Sequence, residues 1–151
     1  MQLSCRKCSA LVLAIPLACH EQPTTPPPYS PPYVLQTVGN QPLPAVLYAA
    51  PGETTTVISS TVSLSDDGTA AYTERIRFVL SGTPTTTTDY KHTYRYEIIG
   101  DSVAFSYLVG CPPNALCIAP PGGKISGLNL TLSFGNPPWR PPFQYFRWMP
   151  D

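Results

Sequence analysis

Charge is scarce in this chain. Asp, Glu, Lys and Arg make up 12% of its 151 residues, against about 25% in an average soluble domain. The few cations are scattered and form no basic patch, which argues against nucleic acid as the partner. Histidine is scarcer still: His20 and His92 are the only two. A hydrolase needs a nucleophile, a base and an orienting acid brought together. No GxSxG or comparable nucleophile signature occurs in the sequence. The expectation is therefore a non-enzyme with no catalytic residue, no metal site and no cofactor. Helical periodicity is also missing over any useful length beyond residue 32, which turns attention to strands.

What is present begins with an address. Arg6 and Lys7 supply a short positive region, and Ser9 to Ala18 is apolar. That stretch is too short to cross the ~30 Å hydrocarbon core as a permanent helix, but it suits a secretory signal. It ends in Leu17-Ala18-Cys19. A small residue followed directly by Cys resembles the lipobox of bacterial lipoproteins, although Pro16 stands where a large apolar residue is usual. The resemblance implies a signal over 1–18, cleavage before Cys19, lipidation of Cys19 and tethering to a membrane in the cell envelope. Cys5 and Cys8 form a CxxC pair, but cleavage would remove it. Loss of Arg6 and Lys7 leaves seven basic against nine acidic side chains.

Residues 19–32 read as a tether. Six of the 13 residues from His20 to Pro32 are proline. Proline fixes φ and removes backbone donors, so an extended polyproline spacer is expected. A Pro-rich recognition ligand is the alternative.

The remainder, 33–151, carries period-two alternation. Tyr33 to Val38 is a first strand closed by Gly39-Asn40, and Ala45 to Tyr48 is a further short candidate. Thr55 to Leu64 sets Ile58, Val62 and Leu64 on one face. Asp66-Asp67-Gly68 is a tight-turn signal. Thr69 to Leu80 then aligns Tyr72, Ile76, Phe78 and Leu80, with Thr73, Arg75 and Arg77 opposite. Ser81 to Asp89 reads as a loop. Lys91 to Ile99 points Tyr94, Tyr96 and Ile98 inward, and Ser102 to Val109 aligns Val103, Phe105, Tyr107 and Val109. Ile125 to Phe134 reads as one strand bearing Leu128, Leu130, Leu132 and Phe134. Phe143 to Trp148 is the last. The expected fold is all-β: an antiparallel meander of seven or eight strands forming a small closed or nearly closed barrel. A two-sheet sandwich is the alternative. Either can bury one core with this chain length.

Several of these segments resemble bacterial lipocalin-like lipoproteins, which are small β-barrels. They are Tyr33-Val-Leu-Gln-Thr-Val-Gly-Asn-Gln-Pro-Leu-Pro-Ala45, Val62-Ser-Leu-Ser-Asp-Asp-Gly-Thr69, Gly127-Leu-Asn-Leu-Thr-Leu132 and Tyr145-Phe-Arg147. The resemblance implies a barrel able to hold a small apolar molecule, and it carries over no ligand residue.

Among individual residues, Cys111 and Cys117 bracket a short loop. In an exported domain a local disulfide worth ~2.4 kcal/mol is expected; a metal there would need further ligands. Asp66 and Asp67 read as turn formers rather than paired catalysts. Arg75 and Arg77 should form an outward charge ladder with Arg95 and Glu97. Glu74 shares parity with Tyr72 and Ile76, and burying a lone carboxylate is costly. A bulge or strand end that turns it outward is expected, with a partner or a watery cavity as the alternative. Tyr72, Glu74, Tyr94, Tyr96, Phe105 and Tyr107 are the candidate ligand-lining residues. The aromatic stretch from Trp139 to Trp148 suits either a sandwiched last strand or a partner surface. Two functions follow as expectations: a lipoprotein binding a small apolar ligand, or a filled structural barrel that docks an envelope protein which the sequence does not name.

Overall fold

The computed structural model describes residues 31–110, 119–135 and 140–148. Cys19, the signal, the tether up to Ser30, the Cys111–Cys117 pair and Trp139 lie outside these residues.

Alternating apolar residues and β-branched threonines favour pleated backbone, and the described chain is built from ten strands. They are β1 (Tyr33–Val38), β2 (Gln41–Pro42), β3 (Ala45–Ala50), β4 (Glu53–Leu64) and β5 (Thr69–Leu80). Then come β6 (Thr86–Ile99), β7 (Ser102–Tyr107), β8 (Gly122–Ser126), β9 (Asn129–Ser133) and β10 (Phe143–Phe146). Each strand from β4 to β10 pairs antiparallel with the next, and β10 pairs β1. β1 also pairs β4 through Tyr33↔Val62 and Val34↔Thr61. That contact closes the ring, so β1 and β4–β10 form an eight-stranded barrel with β2 and β3 added to it. The sandwich alternative does not apply.

Tight turns set the registers. Gly39 and Asn40 both take positive φ between β1 and β2, as a type I′ turn requires. At Asp66-Asp67-Gly68 the Asp67 carboxylate accepts hydrogen bonds from the Thr69 amide and hydroxyl, and Gly68 supplies positive φ. These aspartates are turn formers, as expected.

The core follows the inward parity. Val57, Val62, Ala70, Leu130, Leu132 and Phe143 are fully buried, with Tyr33, Leu35, Val38, Tyr72, Tyr94 and Tyr145 nearly so. Asn129 is exposed beside fully buried Leu130, which is the parity the sequence implies.

Several expectations are corrected. Ile125 to Phe134 is not one strand. Gly127 takes positive φ, and Ser126 pairs Asn129, so Gly127-Leu128 is a two-residue hairpin loop between β8 and β9. Leu128 is therefore a half-buried turn residue rather than a strand residue. In β4 the register shifts between Val57 and Ser59. This bulge at Ile58 hands the core position to Val57 and leaves Ile58 half-buried, the usual effect of one extra residue. Thr86 to Asp89 belongs to β6, paired with Phe78 to Arg75, and not to a loop. Its threonines are good strand formers. Val109 and Trp148 lie beyond the ends of β7 and β10 and are exposed, as is Leu80, the last residue of β5. Arg75 pairs with Asp89 in a two-pronged ion pair, since Arg95 lies opposite Thr69 in this register.

The wall is taller on one side than on the other. β1 meets β4 only at Val62 and Thr61, and β7 meets β6 only from Tyr94 to Ile99. Beyond those points β3, the first half of β4, the second half of β5 and Thr86–Thr93 of β6 continue as a four-stranded apron.

Candidate functional site: the barrel interior

Period-two alternation on β5, β6 and β7 delivers four of the six candidate lining residues to one interior. Tyr72, Glu74, Tyr94 and Phe105 are buried there. Tyr107 ends β7 half-buried, its ring 5.9 Å from that of Tyr94. Tyr96 lies lower and half-buried, and its hydroxyl donates to the Ser65 carbonyl at 2.9 Å across the β4–β5 turn. Its hydroxyl thus ties the strand to that turn while its ring packs against the buried core.

Glu74 is not turned outward. It is buried at 5% exposure, and Arg140 Nη2 donates to its Oε1. The bulge that was expected to expose it lies in β4 instead, and β5 runs unbroken past it. Arg140 stands just before β10, where its guanidinium covers the rings of Phe134 at 4.1 Å and Phe143 at 4.6 Å. A buried carboxylate is tolerable only with such a partner. The sequence reading missed Arg140. It is the lone charge between Lys124 and Arg147, set among prolines and aromatics, and that isolation beside an inward-parity Glu74 was the available signal.

Below the ion pair the hydroxyls are coupled. Ser60 Oγ donates to the Thr73 carbonyl at 2.6 Å and lies 3.1 Å from Tyr145 Oη. Tyr72 Oη is close to the Ser60 and Tyr145 hydroxyls but makes no well-formed hydrogen bond among the described residues, and Arg140 Nε has no acceptor among them. Burial pushes the Tyr72 phenol well above its ordinary range, with Tyr145 and Glu74 adding to the rise. Burial likewise raises Tyr145, against the opposing pull of its Ser60 contact. Tyr94 is raised by burial and then by Tyr107. These phenols are neutral at physiological pH and can only donate or accept hydrogen bonds.

Rings occupy much of the interior. Phe134 meets Tyr72 at 6.1 Å and Phe143 at 5.0 Å, Phe143 meets Tyr145 at 6.3 Å, and Tyr94 meets Phe105 at 6.0 Å. These separations are those of packed aromatic pairs. Among the described residues two depressions of the wall open to solvent. One of about 200 Å³ runs from Ser59 and Thr73 past Glu74 and Arg75 to Asp89, Tyr90 and Lys91; another of about 390 Å³ lies between Arg95, Tyr96 and Glu97 of β6 and Ala104, Phe105 and Ser106 of β7.

No protein-family model, no curated protein and no solved structure matches this chain.

Proposed function

We propose that this chain is a non-catalytic lipoprotein of the cell envelope, anchored through Cys19, whose barrel is filled by its own side chains and docks an envelope partner through its outer surface. The supporting observation is the interior packing. Tyr72, Phe134, Phe143 and Tyr145 form a continuous run of ring contacts, and the one buried carboxylate among the described residues, Glu74, is already paired with Arg140. An eight-stranded barrel is just wide enough either for its side chains to fill it or for one small ligand, and here ring-to-ring contact favours the first. Export would also put Cys111 and Cys117 where a disulfide persists.

The test is a titration of the full chain with the apolar fluorophore 1-anilinonaphthalene-8-sulfonate, with native mass spectrometry of the same sample. No saturable binding and no co-purifying lipid are expected. Mass spectrometry of the mature N-terminus should show a diacylated Cys19, and an unmodified chain beginning at Met1 would remove the lipoprotein part of the reading.

A second reading, a lipocalin-like carrier of a small apolar molecule, is favoured by one observation. Among the described residues Tyr72 Oη and Arg140 Nε are buried donors without a well-formed hydrogen bond, and such groups are normally satisfied. Stoichiometric probe binding that Tyr72→Phe weakens would establish this reading over the first.

A further inference from the structure

The apron leaves one side of β6 unpaired. Tyr94 to Ile99 are covered by β7, but among the described residues no strand lies against Thr86–Thr93 on the side away from β5. All eight of these residues are exposed. Their backbone direction follows from the ladder. The Tyr96 amide donates to the Gly68 carbonyl at 2.9 Å, and hydrogen-bonding direction alternates along an antiparallel strand. With no register shift between β5 and β6, the even-numbered residues face β5. The amides and carbonyls of Thr87, Asp89, Lys91 and Thr93 therefore face the open side. A free edge of this length is a template for strand addition.

Charge decides what suits it. Asp89 and Lys91 flank Tyr90 and share the outer face. Two copies of this segment laid antiparallel about Tyr90 set Asp89 opposite Lys91 of the second copy, and Lys91 opposite its Asp89. Thr87 then meets Thr93. Every free amide and carbonyl of the edge is used, in about eight hydrogen bonds by the two-per-pair pattern. The neighbouring symmetric registers are excluded by the same charges. Centred on Asp89 the pairing puts two aspartates opposite each other, and centred on Lys91 two lysines, which destabilises a cross-strand pair. Either shift also leaves part of the edge unmatched. Charges on edge strands usually block pairing; here the two signs are placed so that the segment complements itself.

We propose that this chain forms a twofold dimer by pairing Thr86–Thr93 with the same segment of a second copy, antiparallel about Tyr90, so that two aprons join into one eight-stranded sheet. Such self-complementary contact is what a closed twofold assembly requires. The proposal holds whether or not the barrel interior is filled, so the probe titration neither supports nor damages it.

The test is a single-cysteine scan of the full chain in detergent at Thr88, Asp89, Tyr90 and Lys91, oxidised and scored as cross-linked dimer above the unsubstituted chain. Tyr90→Cys sits on the twofold axis, where facing Cβ atoms are ~4.5–5.5 Å apart, close to the ~3.5–4.5 Å that a disulfide spans. It should cross-link most, and Thr88→Cys little, because its copy lies about four residues, roughly 13 Å, along the strand. A maximum at 89 or 91, equal yields at all four, or no excess at any position would overturn the proposal. Sedimentation gives a second readout that needs no thiol. Lys91→Glu should weaken dimerisation about tenfold by placing two like pairs across the axis. Mixing Lys91→Glu with Asp89→Lys chains should restore it as a heterodimer. A wild-type chain that stays monomeric at every concentration reached, or a mixture that does not associate, would also refute the pairing.

Discussion

Glu74 is the one buried carboxylate among the described residues. Its carboxylate and the Arg140 guanidinium are both withdrawn from water, at 5% and 17% side-chain exposure. Removing one member of such a pair strands the other, at a cost of about 3–5 kcal/mol, whereas replacing both with apolar groups is often neutral. Arg140→Met should therefore lower the urea unfolding free energy by that amount, and Glu74→Met combined with Arg140→Met should recover most of it. Additive losses would mean that the two side chains do not depend on each other. The inward parity of Glu74 was legible, since alternation on β5 places it between Tyr72 and Ile76. Its partner showed only as an isolated charge, because Arg140 belongs to no periodic segment and reaches Glu74 only once β10 has closed against β9. The buried phenols give a pH signature. Tyr72 and Tyr145 have folded-state values above the ordinary 10.0. Above about pH 10 the unfolded chain releases phenolic protons that the folded chain keeps. Their contribution to stability is therefore complete below that pH and is lost as pH rises. Urea midpoints should fall from about pH 9.5 upward, and less steeply in Tyr145→Phe. A flat alkaline limb would contradict the burial of these groups.

The strands differ in how plainly they can be read. β1 and β5 begin and end where alternation says they should. β8 and β9 fuse into one reading because Ile125, Leu128, Leu130 and Leu132 include a run of even-numbered leucines, and the single Gly127 is too weak a breaker to stand out. In the fold Gly127 takes φ +58° at the first loop position, which glycine adopts without strain. The bulge in β4 was hidden for a similar reason: Val57 and Ile58 are both β-branched, and only pairing with β5 decides which faces inward. Gly123 shows how tightly β8 is held against β9. A Cβ there would stand 2.0 Å from the Thr131 carbonyl oxygen and 2.9 Å from a Leu132 methyl. Gly123→Ala must push the two strands apart, and it should cost about 1–3 kcal/mol as an overpacked site. Leu130→Ala in β9 should cost about 2–5 kcal/mol as a cavity, while Asn129→Ala, one residue away and exposed, should change the urea midpoint little. If Asn129→Ala is the more damaging of the pair, the register of β9 against β10 is wrong.

Closure is a property of the whole molecule. The hairpins from β4 to β9 follow one another in sequence and read directly as a meander. The seam does not, because it joins residues more than a hundred positions apart, as in Val34↔Phe146 and Val38↔Phe143. β1 lies between β10 and the second half of β4, while β3 takes the first half of the same β4 edge. β4 is thus the strand where three partners meet, and the barrel closes on it. The antiparallel register of β1 with β10 sets the start of the first strand beside the end of the last, so the two can be joined by a short linker. A circular permutant joining Trp148 to Tyr33 through a flexible linker, opened between Gly82 and Thr83, keeps every strand pairing. Both residues at that opening are exposed and lie in the β5–β6 turn. It should unfold in one cooperative transition with near-native near-ultraviolet circular dichroism. Opening the same joined chain between Ser59 and Ser60 divides β4 at its junction with β1 and separates the Ser60 hydroxyl contact to Tyr145 from half of its strand. That permutant should lose cooperativity. Equal stability of the two permutants would show that β4 does not hold the ring closed, and the barrel would then have to be closed elsewhere.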